Sequence, residues 1–124
     1  MTPLEVVRQF YQFLALSQVQ NALMLLDDDF VLTQAKSLPY GGEFRGKEGI
    51  KHFFNLFFGF WKSFKSEQVA YFVDGNTVFT TSMGVGVTHS GRTIETPMVQ
   101  VYEVRNGKLL TTRPFYLDTA MLIE

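Results

Sequence analysis

Apolar positions recur at helical spacing in the first part of the chain and alternate, strand-like, through its second half. Leu4, Val7, Phe10, Tyr11 and Leu14 mark one face of a helix. Thr2-Pro3-x-Glu5 supplies its start: a hydroxyl N-cap, a proline at the first helical position and an acid in the first turn. Ala22, Leu23, Leu25 and Leu26 predict a second, shorter helix over 19–26, ended by the acidic trio Asp27-Asp28-Asp29. Residues 30–35 read as a strand, and 37–46, with Pro39, Gly41, Gly42 and Gly46, as a loop. A third helix over 47–62 carries Phe53, Phe54, Phe57, Phe58, Phe60 and Trp61. From Phe64 onward the chain reads as strands separated by Asp74-Gly75, Ser90-Gly91 and Asn106-Gly107. The order α-α-β-α-β-β-β-β predicts one α+β domain over 1–124.

Turn geometry assigns the strand faces. A two-residue loop at Asn106-Gly107 sets Tyr102 opposite Thr111, and one at Ser90-Gly91 sets Phe79 opposite Tyr102. One face then holds Phe79, Thr81, Met83, Ile94, Thr96, Met98, Gln100, Tyr102, Arg113 and Phe115. The other holds the smaller set Val78, Thr80, Ser82, Gly84, Gly86, Glu95, Val99, Val101, Pro114, Tyr116 and Asp118. Rings need small residues beneath them, so the Phe-rich helix is expected over the second face. The bulky first face then needs another cover, and a second copy of the chain is the expected one. The plainer alternative makes the bulky face the core.

Composition narrows the functional classes. The 124 residues carry a formal charge of −1, which disfavours a nucleic-acid backbone binder. There is no Cys, which removes thiol chemistry, and two distant His make a metal site unexpected. No basic-then-apolar leader is visible, and the apolar stretch 53–61 is too short to span a bilayer. A cytoplasmic protein without membrane or nucleic-acid partners is expected. Thirteen Phe, five Tyr and one Trp imply an aromatic core, an aromatic-walled pocket or a large apolar partner surface.

Several segments together resemble the nuclear transport factor 2-like superfamily in its SnoaL-like, polyketide cyclase-like branch. They are Gly42-Glu43-Phe44-Arg45-Gly46-Lys47-Glu48-Gly49-Ile50 before the Phe-rich helix, Ser90-Gly91-Arg92, Glu95-Thr96-Pro97, 101–109 (Val-Tyr-Glu-Val-Arg-Asn-Gly-Lys-Leu) and Phe115-Tyr116-Leu117-Asp118-Thr119. The resemblance implies a cone: a strongly bent antiparallel sheet wrapped around a long helix, a cystatin-like α+β barrel with a pocket at its open end. It also implies dimerisation through the convex sheet face. Ketosteroid isomerases of this superfamily use an acid, a base and oxyanion donors; the matching positions here are Phe10, Gln34 and Val99, without an ionisable group. Limonene epoxide hydrolases use an Asp-Arg-Asp set, matched here by Ser82, Gly84 and Pro114. Asp118 is the nearest late carboxylate to the base of the SnoaL cyclases.

Candidate residues carry competing readings. Glu95 and Asp118 fall opposite one another in the projected pairing, and two close carboxylates would raise one pKa into a useful range. Alternatively Asp118 caps a short C-terminal helix over 119–123, and Glu95 pairs with Arg92. Tyr116 is either a hydrogen-bond donor to a ligand carbonyl or a packed ring. The pocket wall is expected from Gln34, Tyr40, Phe57, Trp61, Ser82, Val99, Val101, Pro114 and Tyr116. Tyr40 would stand near the pocket mouth, as a gating residue or an ordinary turn residue. His52 suits acid–base work but lies off the apolar stripe, which reads as a surface position. Thr81, Met83, Met98, Gln100, Tyr102, Arg113 and Phe115 are the expected dimer interface, with Gln100, Thr81 and Arg113 as a polar patch inside it.

Three functions follow from these expectations. The first is binding of a small apolar molecule without a cofactor. The second is cofactor-independent proton transfer on a carbonyl compound by a cyclase, isomerase or dehydratase. The third is a dimerisation module whose interior is plugged by phenylalanines.

Overall fold

The computed structural model describes residues 1–123. Helix α1 spans Pro3–Ala15 and α2 spans Val19–Leu23. Strands β1 (Leu26–Gln34) and β2 (Gly42–Arg45) precede α3 (Gly46–Phe60). Strands β3 (Trp61–Asp74), β4 (Thr77–Thr88), β5 (Thr93–Arg105) and β6 (Lys108–Tyr116) follow, then a 3₁₀ turn at Thr119–Leu122. Thr2 and Glu5 form a reciprocal capping box, with Glu5 N donating to Thr2 Oγ1 at 3.2 Å and Thr2 N to Glu5 Oε1 at 3.1 Å. Among the described residues no helix is long and apolar enough to cross a membrane.

Four boundaries differ from the sequence reading. The trio Asp27–Asp29 does not end a helix; it lies within β1, where Arg105 holds Asp27 at 2.8 Å and Asp29 at 2.9 Å. Part of the expected loop pairs with β1 as β2. Trp61 opens β3 rather than closing α3. The C-terminal helix is a single 3₁₀ turn.

The six strands form one sheet in the order β2-β1-β6-β5-β4-β3. Every neighbouring pair is antiparallel except β1 and β6, which are parallel. The sheet is not closed into a barrel, and β2 and β3 are its edges. Helix α3 nevertheless packs on β1 and β2 at one edge and on β3 at the other. The sheet must therefore curl until both edges reach one helix. Helix α1 fills the remaining hollow against β3, β4, β5 and β6.

The two hairpins behave differently from one another. Asn106 and Gly107 both have positive φ (52° and 75°) and close the expected two-residue loop. A bulge after Glu103 then shifts β6 by one residue, so Tyr102 faces Thr112. At the other hairpin Gly91 N donates to the Thr88 carbonyl at 3.0 Å and Thr88 N to the Arg92 carbonyl at 2.9 Å. This is a three-residue loop with Gly91 in the left-handed region at φ 95°. Val78 therefore faces Tyr102, and Ser82 faces Met98.

The expected faces are consequently correct for β4 and β6 and reversed for β5. The inner face carries Val78, Thr80, Ser82, Gly84 and Gly86 from β4, with Ile94, Thr96, Met98, Gln100, Tyr102 and Val104 from β5. Thr112, Pro114 and Tyr116 of β6 join them. Val99 and Val101, expected in the pocket wall, lie on the outer face, Val99 being 39% exposed. Met98, Gln100 and Tyr102, expected in the dimer interface, are turned inward. Nor does the Phe-rich helix lie over the small residues of β4. Gly84 and Gly86 leave the space taken by Phe64 and Trp61 of neighbouring β3.

Candidate functional site

The inner face has two polar clusters with opposite character. Near α1, Tyr11 and Thr80 are hydrogen-bonded through their hydroxyls at 2.9 Å, and Tyr102 Oη donates to Gln100 Oε1 at 2.8 Å. The Tyr11, Tyr71 and Tyr102 rings meet edge to face. Burial pushes the Tyr11 and Tyr102 phenols up, Tyr102 well above the usual value. These groups satisfy one another, and the cluster locks α1 onto the sheet.

The second cluster gathers at the far end of β1 and β6. Tyr40 is directed inward by two successive turns, in which Leu38 N donates to the Ala35 carbonyl and Gly41 N to the Leu38 carbonyl. Its ring lies 4.9 Å from Phe57, 5.8 Å from Phe60 and 6.2 Å from Phe53. Trp61 is 4.9 Å from Phe60 and 5.1 Å from Phe64. The Tyr40 hydroxyl stands beside the Tyr116 hydroxyl and the Trp61 indole N–H, and Tyr116 also faces Gln34. These neighbours are not aligned into hydrogen bonds: Gln34 Oε1, Tyr40 Oη and Trp61 Nε1 are buried without a partner. Ser82 Oγ, Thr96 Oγ1 and Thr112 Oγ1 on adjoining strands are in the same condition. Burial pushes both phenols up, Tyr116 well above the usual range, so they are neutral donors at physiological pH.

This cluster unites five of the nine residues expected in the pocket wall: Gln34, Tyr40, Trp61, Tyr116 and, through its ring, Phe57. Ser82 and Pro114 share the inner face with them. Tyr40 is fully buried, not at a rim. Glu95 faces outward and is exposed. Asp118 follows β6, and its Oδ1 accepts from Ala120 N at 3.1 Å, capping the 3₁₀ turn. The bulge after Glu103 also moves Asp118 out of register with Glu95, so the carboxylates are not cross-strand partners. Arg92 donates to the Met121 carbonyl at 2.7 Å. His52 is exposed beside Phe44, and His89 Nε2–H donates to the Phe58 carbonyl at 2.7 Å. Sequence reasoning passed over Thr96 and Thr112, because the one-residue slip in each hairpin hid their common face.

Among the described residues the inner face carries no buried charged side chain. Among the described residues its buried polar side chains are Gln34, Thr80, Thr88, Thr96 and Thr112. No grouping of His, Asp and Glu among the described residues has the arrangement of a metal site. Two shallow grooves flank the Asn106-Gly107 turn, one lined by Asp27, Asp28, Asp29, Lys47, Arg105 and Lys108. Its Arg105 is already engaged by Asp27 and Asp29, and its charged walls do not suit an apolar ligand.

Residues 7–111 match the family described as the SnoaL-like domain. The chain belongs to this family. Solved structures agree with the SnoaL-like assignment. An NTF2-like protein of unknown function from Burkholderia pseudomallei K96243 superposes with a TM-score of 0.91 at 21% identity, covering 99% of this chain and 98% of that one. A candidate polyketide cyclase from Pseudomonas putida KT2440 gives 0.83 at 16% identity, covering 98% and 96%. TerC, co-crystallised with polyporic acid, gives 0.88 at 17% identity, covering 96% and 93%. Similarity at these identities establishes the fold alone. No curated protein sequence matches the chain.

Proposed function

We propose that this SnoaL-like domain binds a small apolar molecule against the inner face of its sheet, between Tyr40, Phe57, Trp61 and Tyr116. One observation carries the reading: Gln34 Oε1, Tyr40 Oη and Trp61 Nε1 are buried without a partner close to aromatic rings where β1 and β6 end, while Tyr11, Thr80, Gln100 and Tyr102 near α1 are hydrogen-bonded in pairs. Leaving such atoms unmade costs about 1–3 kcal/mol each, a cost a ligand can relieve. That TerC, of the same fold, was crystallised with polyporic acid is consistent with such a site.

Proton transfer on a carbonyl compound is the second reading, favoured by the fold shared with candidate polyketide cyclases. It ranks below binding, because the hydroxyls of Tyr40 and Tyr116 are held neutral and the buried polar residues include no carboxylate or imidazole. Native mass spectrometry of protein purified from its host tests the binding reading. A non-covalent adduct lost on denaturation is expected. The apo mass alone, together with Trp61 emission unmoved by 1,4-naphthoquinone, refutes it.

The outer face supports a companion proposal of a homodimer. Phe72, Phe79 and Val101 form one cross-strand row and Thr81, Val99 and Phe115 the next. Phe72 and Phe115 are more than half exposed. Met83 and Arg113, also expected at the interface, belong to this face, where Gln100, Met98 and Tyr102 do not. A monomer by analytical ultracentrifugation at micromolar concentration overturns this proposal.

A further inference from the structure

Strand β6 ends opposite Met98, so 93–97 of β5 has no β6 residue beside it. The chain runs on along this margin. Leu117 N donates to the Pro97 carbonyl at 3.0 Å, and the Met121 carbonyl accepts from Arg92 Nη2 at 2.7 Å. The segment 117–123 is thus tied at both ends of the stretch of β5 that carries inward-facing Ile94 and Thr96, both buried. Its hold on the core is a single side chain. Leu122 is 0% exposed, in the core cluster that also holds Tyr40, Trp61 and Ile94, while Met121 is 41% and Ile123 46% exposed. Two of its hydrogen bonds are internal, Ala120 N to Asp118 Oδ1 and Ile123 N to the Ala120 carbonyl. An element with so little buried surface opens at a fraction of the free energy of global unfolding. Strand β5 does not need it, being paired with β4 over 93–103.

We propose that 117–123 is a detachable strap, fastened by Leu122 and by the Arg92–Met121 bond, whose release uncovers the inner face beside Ile94 and Thr96 while the sheet stays folded. A ligand reaching the fully buried rings of Tyr40 and Trp61 needs such an opening. As a route for ligand the strap rests on the binding reading; as a local opening it stands by itself.

The chain contains no Cys, so single thiols report access. Thr96→Cys places one under the strap. Val78→Cys places one deep on the same sheet face, opposite Tyr102. Labelling by DTNB is measured under native conditions, where the rate rises in proportion to reagent and so reports the open fraction. Thr96→Cys is expected to react about tenfold faster than Val78→Cys, or more, and with a weaker dependence on added urea because strap release exposes less surface. Arg92→Ala is expected to speed Thr96→Cys about tenfold, the equivalent of one hydrogen bond from a charged group. Tyr11→Phe should speed Val78→Cys and leave Thr96→Cys unchanged, because strap release does not break the Tyr11–Thr80 bond. Equal rates and equal urea dependence for the two thiols overturn the strap, as does a Thr96→Cys rate that Tyr11→Phe raises or Arg92→Ala leaves alone. Hydrogen exchange of the unaltered chain gives a second measure. The Leu117 amide is expected to exchange with the same weak urea dependence, and exchange through global unfolding alone overturns the strap. None of these rates involves a ligand, so the strap and the binding reading fail on different results.

Discussion

Gly86→Ala tests the packing that holds Trp61 in place. Gly86 faces Phe64 on β3 and Ile94 on β5. An added Cβ would lie 2.5 Å from Cε3 and Cζ3 of Trp61 and 2.9 Å from Cδ2 of Phe64. Carbon atoms pack at about 3.5–4.0 Å, so the indole would have to retreat by about 1 Å. It has little room, with Phe60 4.9 Å away on another side and Phe64 5.1 Å away. Overpacking of this kind costs about 1–3 kcal/mol, offset by about 0.4–1 kcal/mol from the stiffer unfolded chain. The net loss, about 1–2 kcal/mol, corresponds to a fall in Tm of roughly 4–8 °C for a domain of this size. Gly59→Ala is the control: Gly59 lies in α3 with nothing within 4 Å of its added Cβ, and a gain of up to about 1 kcal/mol is expected. Calorimetry and urea denaturation followed by circular dichroism measure both. In a Trp61→Leu background the indole atoms are gone, and a double-mutant cycle should show most of the Gly86→Ala cost gone with them. A Gly86→Ala variant as stable as the parent would refute the placement of the indole on β4.

Three further outcomes follow from the same geometry. Tyr11→Phe removes the 2.9 Å partner of fully buried Thr80 and should lower stability by about 1–2 kcal/mol in urea denaturation, with α1 retained. Leu122→Ala should cost about 2–4 kcal/mol by calorimetry, because Leu122 is fully buried in the core although it belongs to a single terminal turn. Arg105 hydrogen bonds hold the Asp27 carboxyl below its usual value of 3.8, so the folded state binds that proton more weakly than the unfolded chain. This contribution is present above about pH 4 and disappears as pH falls through the lowered value; Asp27→Asn should therefore flatten the fall in urea midpoint between pH 5 and pH 2.

Local signals in the chain were sufficient for most of the elements and nominated several of the residues that the fold brings together on the inner face. The capping box at Thr2 and Glu5, the apolar stripe of α1 and the Asn106-Gly107 turn depend on neighbours within a few residues, and each formed as the sequence implies. The SnoaL-like family was legible in the order and spacing of its segments, and the matching region spans residues 7–111. Gln34, Tyr40, Phe57, Trp61 and Tyr116 were also legible as candidates: Gln34 from the position it matches in the ketosteroid isomerases, Tyr40 from its glycine-rich loop, Phe57 and Trp61 from the aromatic helix, and Tyr116 from the end of the last strand.

Only the tertiary structure decided which strand faces look inward. A strand's side chains alternate with a period of two, so a single residue gained or lost in a turn reverses the whole strand. The third loop residue at His89-Ser90-Gly91 reversed β5 relative to β4, and the bulge after Glu103 restored β6. Two slips cancelled for Ser82 and Pro114 and did not cancel for Val99, Val101, Met98, Gln100 and Tyr102. Trp61 shows the same limit from the other side: its sequence neighbours are helical aromatics, but the absence of side chains at Gly84 and Gly86 on the adjacent strand β4 makes the sheet its seat. Whether a ring can lie there depends on residues far along the chain, which no local pattern records.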